Sequence, residues 1–158
     1  MKKVLILLIV AILLTSCGSE NSELSAFVEK FNQSARKYDA IELIENEFGK
    51  IETEDGESWR NLFESKEYSI EIMCDKNNIA GYCIDVVSDK TSISKTGKGY
   101  SAVLTLADTL GLNIKELEKG MQAAFNENFY NYEDGSYEVR ITVINITHAM
   151  MSITIEEK

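Results

Sequence analysis

The stretch Tyr137–Ile155, YEVRITVINITHAMMSITI, decides the fold of this chain. Apolar residues occupy every second position over 137–143 and again over 149–155, which is the period of a strand with one buried face. One antiparallel register brings three apolar pairs together: Val139 with Ile155, Ile141 with Ile153, and Val143 with Met151. A shift of one residue would turn every side chain to the other face, so the pattern predicts this register and an antiparallel sheet covered on one side.

Two helices are predicted ahead of this hairpin. The first runs over 102–110 and ends at Gly111, since glycine readily adopts the left-handed conformation of a helix end. The second buries one face over 114–125, and Asn113 with Glu116 is typical of a capping box at its start. The second half of the chain therefore predicts two helices followed by strands.

The first half of the chain shows the same kinds of pattern. Helical spacing predicts one helix over 22–37 and a second, short helix over 41–48. Alternation predicts strands over 68–73 and 79–87. The register with the best apolar match in this second hairpin pairs Ile70 with Val86 and Ile72 with Ile84.

The two halves, 23–88 and 100–158, are joined by the polar loop 89–99 and share an order of elements. Each has helix, an Asp-Gly turn and strands, and the turns Asp55-Gly56 and Asp134-Gly135 match. A degenerate duplication and a coincidence of common turns both explain this. The duplicated plan resembles the tandem helix-plus-antiparallel-sheet fold of small exported inhibitor-like proteins, a likeness that implies no function. Either way we predict an α+β fold, with an antiparallel sheet packed against helices.

The first residues are typical of an export signal. Lys2 and Lys3 precede an unbroken apolar run over 4–14, and small residues follow it. The run has about 11 residues, whereas a membrane-spanning helix needs about 20. Leu14-Thr15-Ser16-Cys17 then closes the segment, and this tetrapeptide resembles the lipobox of bacterial lipoproteins.

This resemblance implies a processed and lipidated protein. Residues 1–16 would be a signal peptide, 17–22 a short lipidated tether, and 23–158 a single α+β domain. Cys17 would carry a diacylglyceryl thioether and fatty acids such as palmitate, because a thiol is nucleophilic enough to form the thioether. The resemblance places the domain on the extracytoplasmic side of the cell membrane, held there by its lipid. No other cofactor is predicted.

The charge of the chain argues against a nucleic-acid partner. Without the leader, which takes away two basic residues and no acidic one, 14 basic and 26 acidic residues remain, a net charge of −12. Phosphate binding needs clustered Lys and Arg. The segment 106–117 has the spacing of a helix-turn-helix, but Lys115 and Lys119 of its second helix are set among Glu116 and Glu118. We therefore predict that it is an ordinary helical hairpin.

Cys74 and Cys83 are the cysteines that remain after lipidation. In an exported protein they would form a disulfide or, equally well, serve as small buried thiols. The predicted register of the first hairpin places Cys74 opposite Tyr82, which does not favour the disulfide. His148 is the single histidine, and the spacing of known zinc modules is missing, so no metal site is predicted.

The remaining candidates are aromatic residues near turns and strand ends. They are candidate partner contacts, since aromatics at such places often anchor partners, although capping of a small core is the commoner use. They are Trp59, Tyr100, Phe129, Tyr130 and Tyr132.

No catalytic set is recognisable in the sequence. The expected function is therefore a non-catalytic binding module for a protein or small molecule. An envelope hydrolase that uses carboxylates alone and an immunity or exclusion lipoprotein are the alternatives.

Overall fold

The computed structural model describes residues 19–38, 41–45, 48–54, 57–75 and 78–158. The described part of the chain is α+β, as predicted. In chain order its elements are α1 Ser19–Ala35, β1 Ile51–Glu54, β2 Glu57–Glu64, β3 Tyr68–Asp75, β4 Asn78–Val87, α2 Lys98–Leu110, α3 Ile114–Glu127, β5 Phe129–Asp134, β6 Tyr137–Asn145 and β7 Ala149–Glu157.

The strands form one antiparallel sheet in the order β1-β2-β3-β4-β7-β6-β5. The predicted register of the last hairpin is confirmed, because Ile141 lies opposite Ile153, with the neighbouring apolar pairs in step. At the centre of the sheet β4 pairs with β7, and Ile84 lies opposite Ile153 there. The two halves of the chain therefore share one continuous sheet.

The predicted register of the β3–β4 hairpin is wrong by two residues. Ile70, and not Ile72, lies opposite Ile84, and a bulge follows between Met73 and Cys74. The reason is Tyr68, which is almost fully buried and stacks on Phe63. The predicted register would carry Tyr68 past the end of β4, whereas the observed one places it opposite Val86.

The short helix predicted over 41–48 is also wrong, since 41–45 and 48 have no helical structure. Asn32 of α1 explains the extended conformation. Its side-chain amide donates to the carbonyl of Ile44 and its oxygen accepts from the Ile44 N–H, both at 2.9 Å. These two hydrogen bonds satisfy the N–H and the carbonyl of Ile44, whose side chain is buried. The contact with α1 thus outweighs the helical spacing of the apolar residues in this segment.

The helices α2 and α3 end and begin where the sequence predicts. Gly111 takes the left-handed conformation after α2, with φ of 75°. The Asn113 side chain accepts from the N–H groups of Lys115 and Glu116 at the start of α3. The second half of the capping box differs, because the Asn113 N–H donates to Asp134 at 2.6 Å instead of to Glu116. The turn after β5 thus supports the start of α3.

All three helices of the described chain pack on the same face of the sheet. In α1, Phe27 contacts Tyr82 of β4, with ring centroids 4.8 Å apart. In α2, Gly99 lies so close to Val86 that an added Cβ would meet it at 2.4 Å. In α3, Gly120 lies against Ile141 of β6 in the same way. Tyr82, Val86 and Ile141 share one side of the sheet, so the core lies there, and none of the described helices covers the other side.

The turn-based repeat is not a repeat of the structure. Counted outward from the central β4–β7 pair, β3 corresponds to β6 and β2 to β5. Asp134-Gly135 joins β5 to β6, while Asp55-Gly56 lies outside the described residues, between β1 and β2. These connections are not equivalent, so the matching turns give no support to a duplication.

Candidate functional site

The side of the sheet that none of the described helices covers is here called the open face. It carries every second residue of the strands, and the strand registers align these residues in rows across the sheet. We use the names acidic row, central row and apolar row for three of them, each defined below.

The acidic row crosses all seven strands. Its members, in spatial order, are Glu52, Trp59, Met73, Gly81, Glu156, Glu138 and Glu133. Two basic groups pair with the three carboxylates at its β5–β7 end. Arg140 lies 2.7 Å from Glu156 and 3.4 Å from Glu138, and Lys158 lies 2.8 Å from Glu133.

The central row lies one step along the strands. Its members are Asn61, Glu71, Cys83, Thr154, Arg140 and Asn131. Glu71 is its unusual member, because partial burial raises the pKa of this carboxyl. The charges of Asp85, Glu52 and Glu64 raise the pKa further, and a hydrogen bond with Asn61 opposes the effect. The β1–β4 end of the open face therefore concentrates negative charge.

A depression of about 600 Å³ lies between these two rows. Its lining comprises Glu52, Thr53, Trp59, Glu71, Cys83 and Thr154. Burial raises the pKa of the Cys83 thiol to about 11, and the charge of Asp85 adds to this. Cys83 is therefore protonated at neutral pH, and it has neither the thiolate of a nucleophile nor that of a metal ligand.

The apolar row lies at the opposite end of the open face. Val87, Met150 and Ile144 stand side by side on β4, β7 and β6, and they are 41%, 47% and 53% exposed. Phe129 on the neighbouring strand is opposite Thr142 and is half exposed. Ile146, in the turn after β6, is 83% exposed. The three neighbouring side chains of the apolar row form an exposed apolar patch, a feature that often marks an interaction surface.

The predicted contact aromatics divide between the two faces. Trp59 and Phe129 lie on the open face. Tyr100 is buried on the helix side, where its hydroxyl donates to Glu118 beside a cavity of about 330 Å³. Tyr130 and Tyr132 also face the helices and lie against Gly120 of α3. Of the five, Trp59 and Phe129 are placed to contact a partner through the open face.

Cys74 and Cys83 are not joined by a disulfide. Cys74 follows Ile72 on the core side of β3 and packs against the core. Cys83 lies on the open face, between core residues Tyr82 and Ile84. Because the two thiols point to opposite faces of the sheet, the disulfide alternative does not fit this structure.

The other predicted residues add no site. His148 is exposed in the turn between β6 and β7, with Nδ1 at 3.3 Å from the carbonyl of Asp89. Within the described ranges, no three His, Cys, Asp or Glu side chains converge as metal ligands would. Cys17 lies outside the described residues. None of the described helices has the length and apolar content that crossing a bilayer requires.

Comparisons with known proteins give no relative. No protein-family model matches the chain, and neither a curated protein nor a solved structure is significantly similar to it.

The sequence reading missed the apolar row, although the sequence carries a signal for it. Ile144 follows Val143, and Met150 precedes Met151, so each pair breaks the alternation of its strand. One member of each pair must then point away from the core. Two consecutive apolar residues inside an alternating strand therefore indicate a second apolar surface, on the face away from the core.

Glu71→Gln should raise the stability of the protein at neutral pH. The folded state raises the pKa of Glu71 above its ordinary value of 4.5. The folded state therefore binds this proton more tightly, and the protein loses stability as the pH rises through the raised pKa. Thermal unfolding at pH 7.5 should give a higher Tm for the variant, and the difference should vanish near pH 4. Glu29→Gln, which removes one charge from an exposed position of α1, is the control and should raise the Tm at pH 7.5 less than Glu71→Gln does. A Tm of the Glu71→Gln variant at pH 7.5 equal to or below that of the parent would contradict the expectation.

Proposed function

We propose that this chain is a lipid-anchored, non-catalytic module that recognises a protein through its open face, on the extracytoplasmic side of a bacterial membrane. The observation that carries the proposal is the exposed apolar row on the sheet face that no helix of the described residues covers. Protein interfaces combine such an apolar centre with a polar rim.

The dimensions of the open face suit a protein partner. Seven strands at about 4.8 Å and six residues at about 3.4 Å give a surface of roughly 29 by 20 Å. This area of about 600 Å² approaches the roughly 800 Å² that one partner contributes to a standard interface. A small molecule would contact only a part of such a surface.

The anchor supports the same proposal. Cys17 would hold the domain beside the membrane through two acyl chains, because one chain alone gives only marginal attachment. The net charge of −12 would repel the domain from anionic lipids, which favours an outward orientation.

Site-specific photo-crosslinking in the producing cells tests the proposal. A benzophenone amino acid is placed at Ile144 on the open face and, as a control, at Lys30 on the exposed side of α1. We expect a crosslinked adduct of discrete mass from position 144, none from position 30, and loss of the adduct when Met150→Lys is added. Adducts that are equal from both faces, or no adduct at position 144, would refute recognition through the open face.

An immunity or exclusion lipoprotein is one biological form of the same proposal. Such a protein would use its outward surface to block a toxin, a phage or a conjugation apparatus. Genes for that machinery beside the gene of this chain would distinguish it from a general sensor.

A carboxylate-dependent hydrolase is the second candidate, and the raised pKa of Glu71 favours it. Asp85 lies diagonally across β3 and β4 from Glu71, a relation that places the two residues about 7–8 Å apart. Carboxyl groups of glycosidases have comparable separations, and one of them has a raised pKa. Turnover of cell-wall glycans by the parent, abolished by Glu71→Gln, would establish this function in place of recognition.

A further inference from the structure

Charge is distributed unequally over the open face. The β5–β7 end has its own basic groups, since Arg140 and Lys158 pair with carboxylates there. At the β1–β4 end, the electrostatic neighbours of Glu71 are the carboxylates of Asp85, Glu52 and Glu64. Like charges that are held together lower the stability of the protein. A positive charge on a partner would therefore be attracted most strongly at this end of the open face.

Trp59 lies in the middle of this acidic region. It stands directly opposite Glu52 on β1 and opposite Met73 on β3, and it lines the same depression as Glu71. An indole face attracts a guanidinium or an ammonium group, and flanking carboxylates fix such a group by charge-assisted hydrogen bonds. The depression thus combines an aromatic surface with two carboxylates, which suits an Arg or Lys side chain.

The apolar row supplies the second contact. On β4, Val87 of the apolar row lies six residues after Gly81 of the acidic row, a distance of about 20 Å along the strand. A partner that covers the face would therefore meet negative charge and an indole at the depression, and exposed apolar side chains at the apolar row. Docking requires complementary chemistry at both ends.

We infer that the partner is a protein with a basic surface, which inserts an Arg or Lys side chain between Glu52, Trp59 and Glu71 and places apolar side chains on the apolar row. This inference rests on the proposed function and names its partner class. A second copy of the chain would bring the same excess of acidic residues to the face, and an anionic lipid surface would be repelled by these carboxylates. Neither competitor has the required positive charge.

Trp59 is the single tryptophan of the chain, so its fluorescence reports on the depression directly. The experiment uses the full lipidated chain in neutral detergent micelles. The probe is the peptide Arg-Ser-Arg-Ser-Gly-Ser-Leu-Ser-Phe, long enough to reach both ends of the face at about 3.4 Å per residue. We expect a saturable change in Trp59 emission that weakens with added salt. A peptide with Glu in place of both Arg should give none, and one with Ser in place of Leu and Phe should bind more weakly.

Matched variants separate a specific site from general attraction to an acidic protein. Glu52→Gln with Glu71→Gln should weaken binding of the basic peptide by roughly tenfold, as expected for loss of two charge-assisted contacts. Glu29→Gln with Glu127→Gln removes the same charge from exposed helix positions and should change the affinity less than about twofold. Circular dichroism checks that both double variants remain folded.

Four outcomes would overturn the inference: equal loss of affinity in both double variants, equal binding of the acidic peptide, no binding of the basic peptide, or a concentration-dependent dimer formed by the chain alone. The crosslinking experiment distinguishes a failure of this inference from a failure of the proposed function. If the Ile144 adduct persists unchanged in the Glu52→Gln, Glu71→Gln variant, recognition through the open face stands and the basic partner is refuted.

Discussion

Ile153→Ala should lower the free energy of unfolding by about 2–5 kcal/mol, the usual cost of an emptied core position. Ile153 is 1% exposed and lies opposite both Ile84 and Ile141, so it connects the two halves of the sheet at its centre. Few neighbouring atoms could move into the cavity, because strands flank this residue on both sides and the helices cover it. Urea denaturation, read by circular dichroism, measures the change as a shift of the midpoint.

Ile144→Ala is the matched control for this substitution. It removes the same atoms from a residue that is half exposed on the open face, so the free energy of unfolding should change by less than about 0.5 kcal/mol. A loss at position 144 comparable to that at 153 would mean that something covers the apolar row in the isolated chain. The proposed recognition surface would then be part of the core.

The last hairpin could be predicted residue by residue because its apolar pattern and its short connection agree. Every core position from Val139 to Val143 is apolar, and so is every partner on β7, so a shift of one residue would bury polar groups, and a shift of two would change the length of the turn after Asn145. The β3–β4 hairpin is less constrained. Its correct register depends on the burial of Tyr68, whose ring fits a core that only the assembled helices create.

The candidate site was harder to predict because it depends on which strands become neighbours. The acidic row joins Glu52 to Glu133 across the whole sheet, and no local pattern shows that β4 pairs with β7. The proximity of Glu52, Glu64, Glu71 and Asp85 likewise appears only after the strands are in register. Trp59 was recognised from its type and position, but Tyr100 has the same signature and lies in the core.

Cys17→Ser should abolish membrane attachment, the largest effect expected of any single substitution in this chain. Serine lacks the nucleophilic thiol, so neither the diacylglyceryl group nor the palmitate would be added. Each buried methylene contributes about 0.8 kcal/mol to anchoring, so loss of the proposed acyl chains would remove nearly all affinity for the bilayer. Labelled palmitate should be incorporated into the parent and not into the variant. On phase separation of Triton X-114, the parent should be found in the detergent phase and the variant in the aqueous phase.

Cys74→Ser is the matched control, since it changes a thiol within the folded domain and should keep both the label and the detergent partition. A Cys17→Ser protein that still carries palmitate and stays in the detergent phase would refute the lipid anchor, and with it the argument that the open face meets its partner outside the cell.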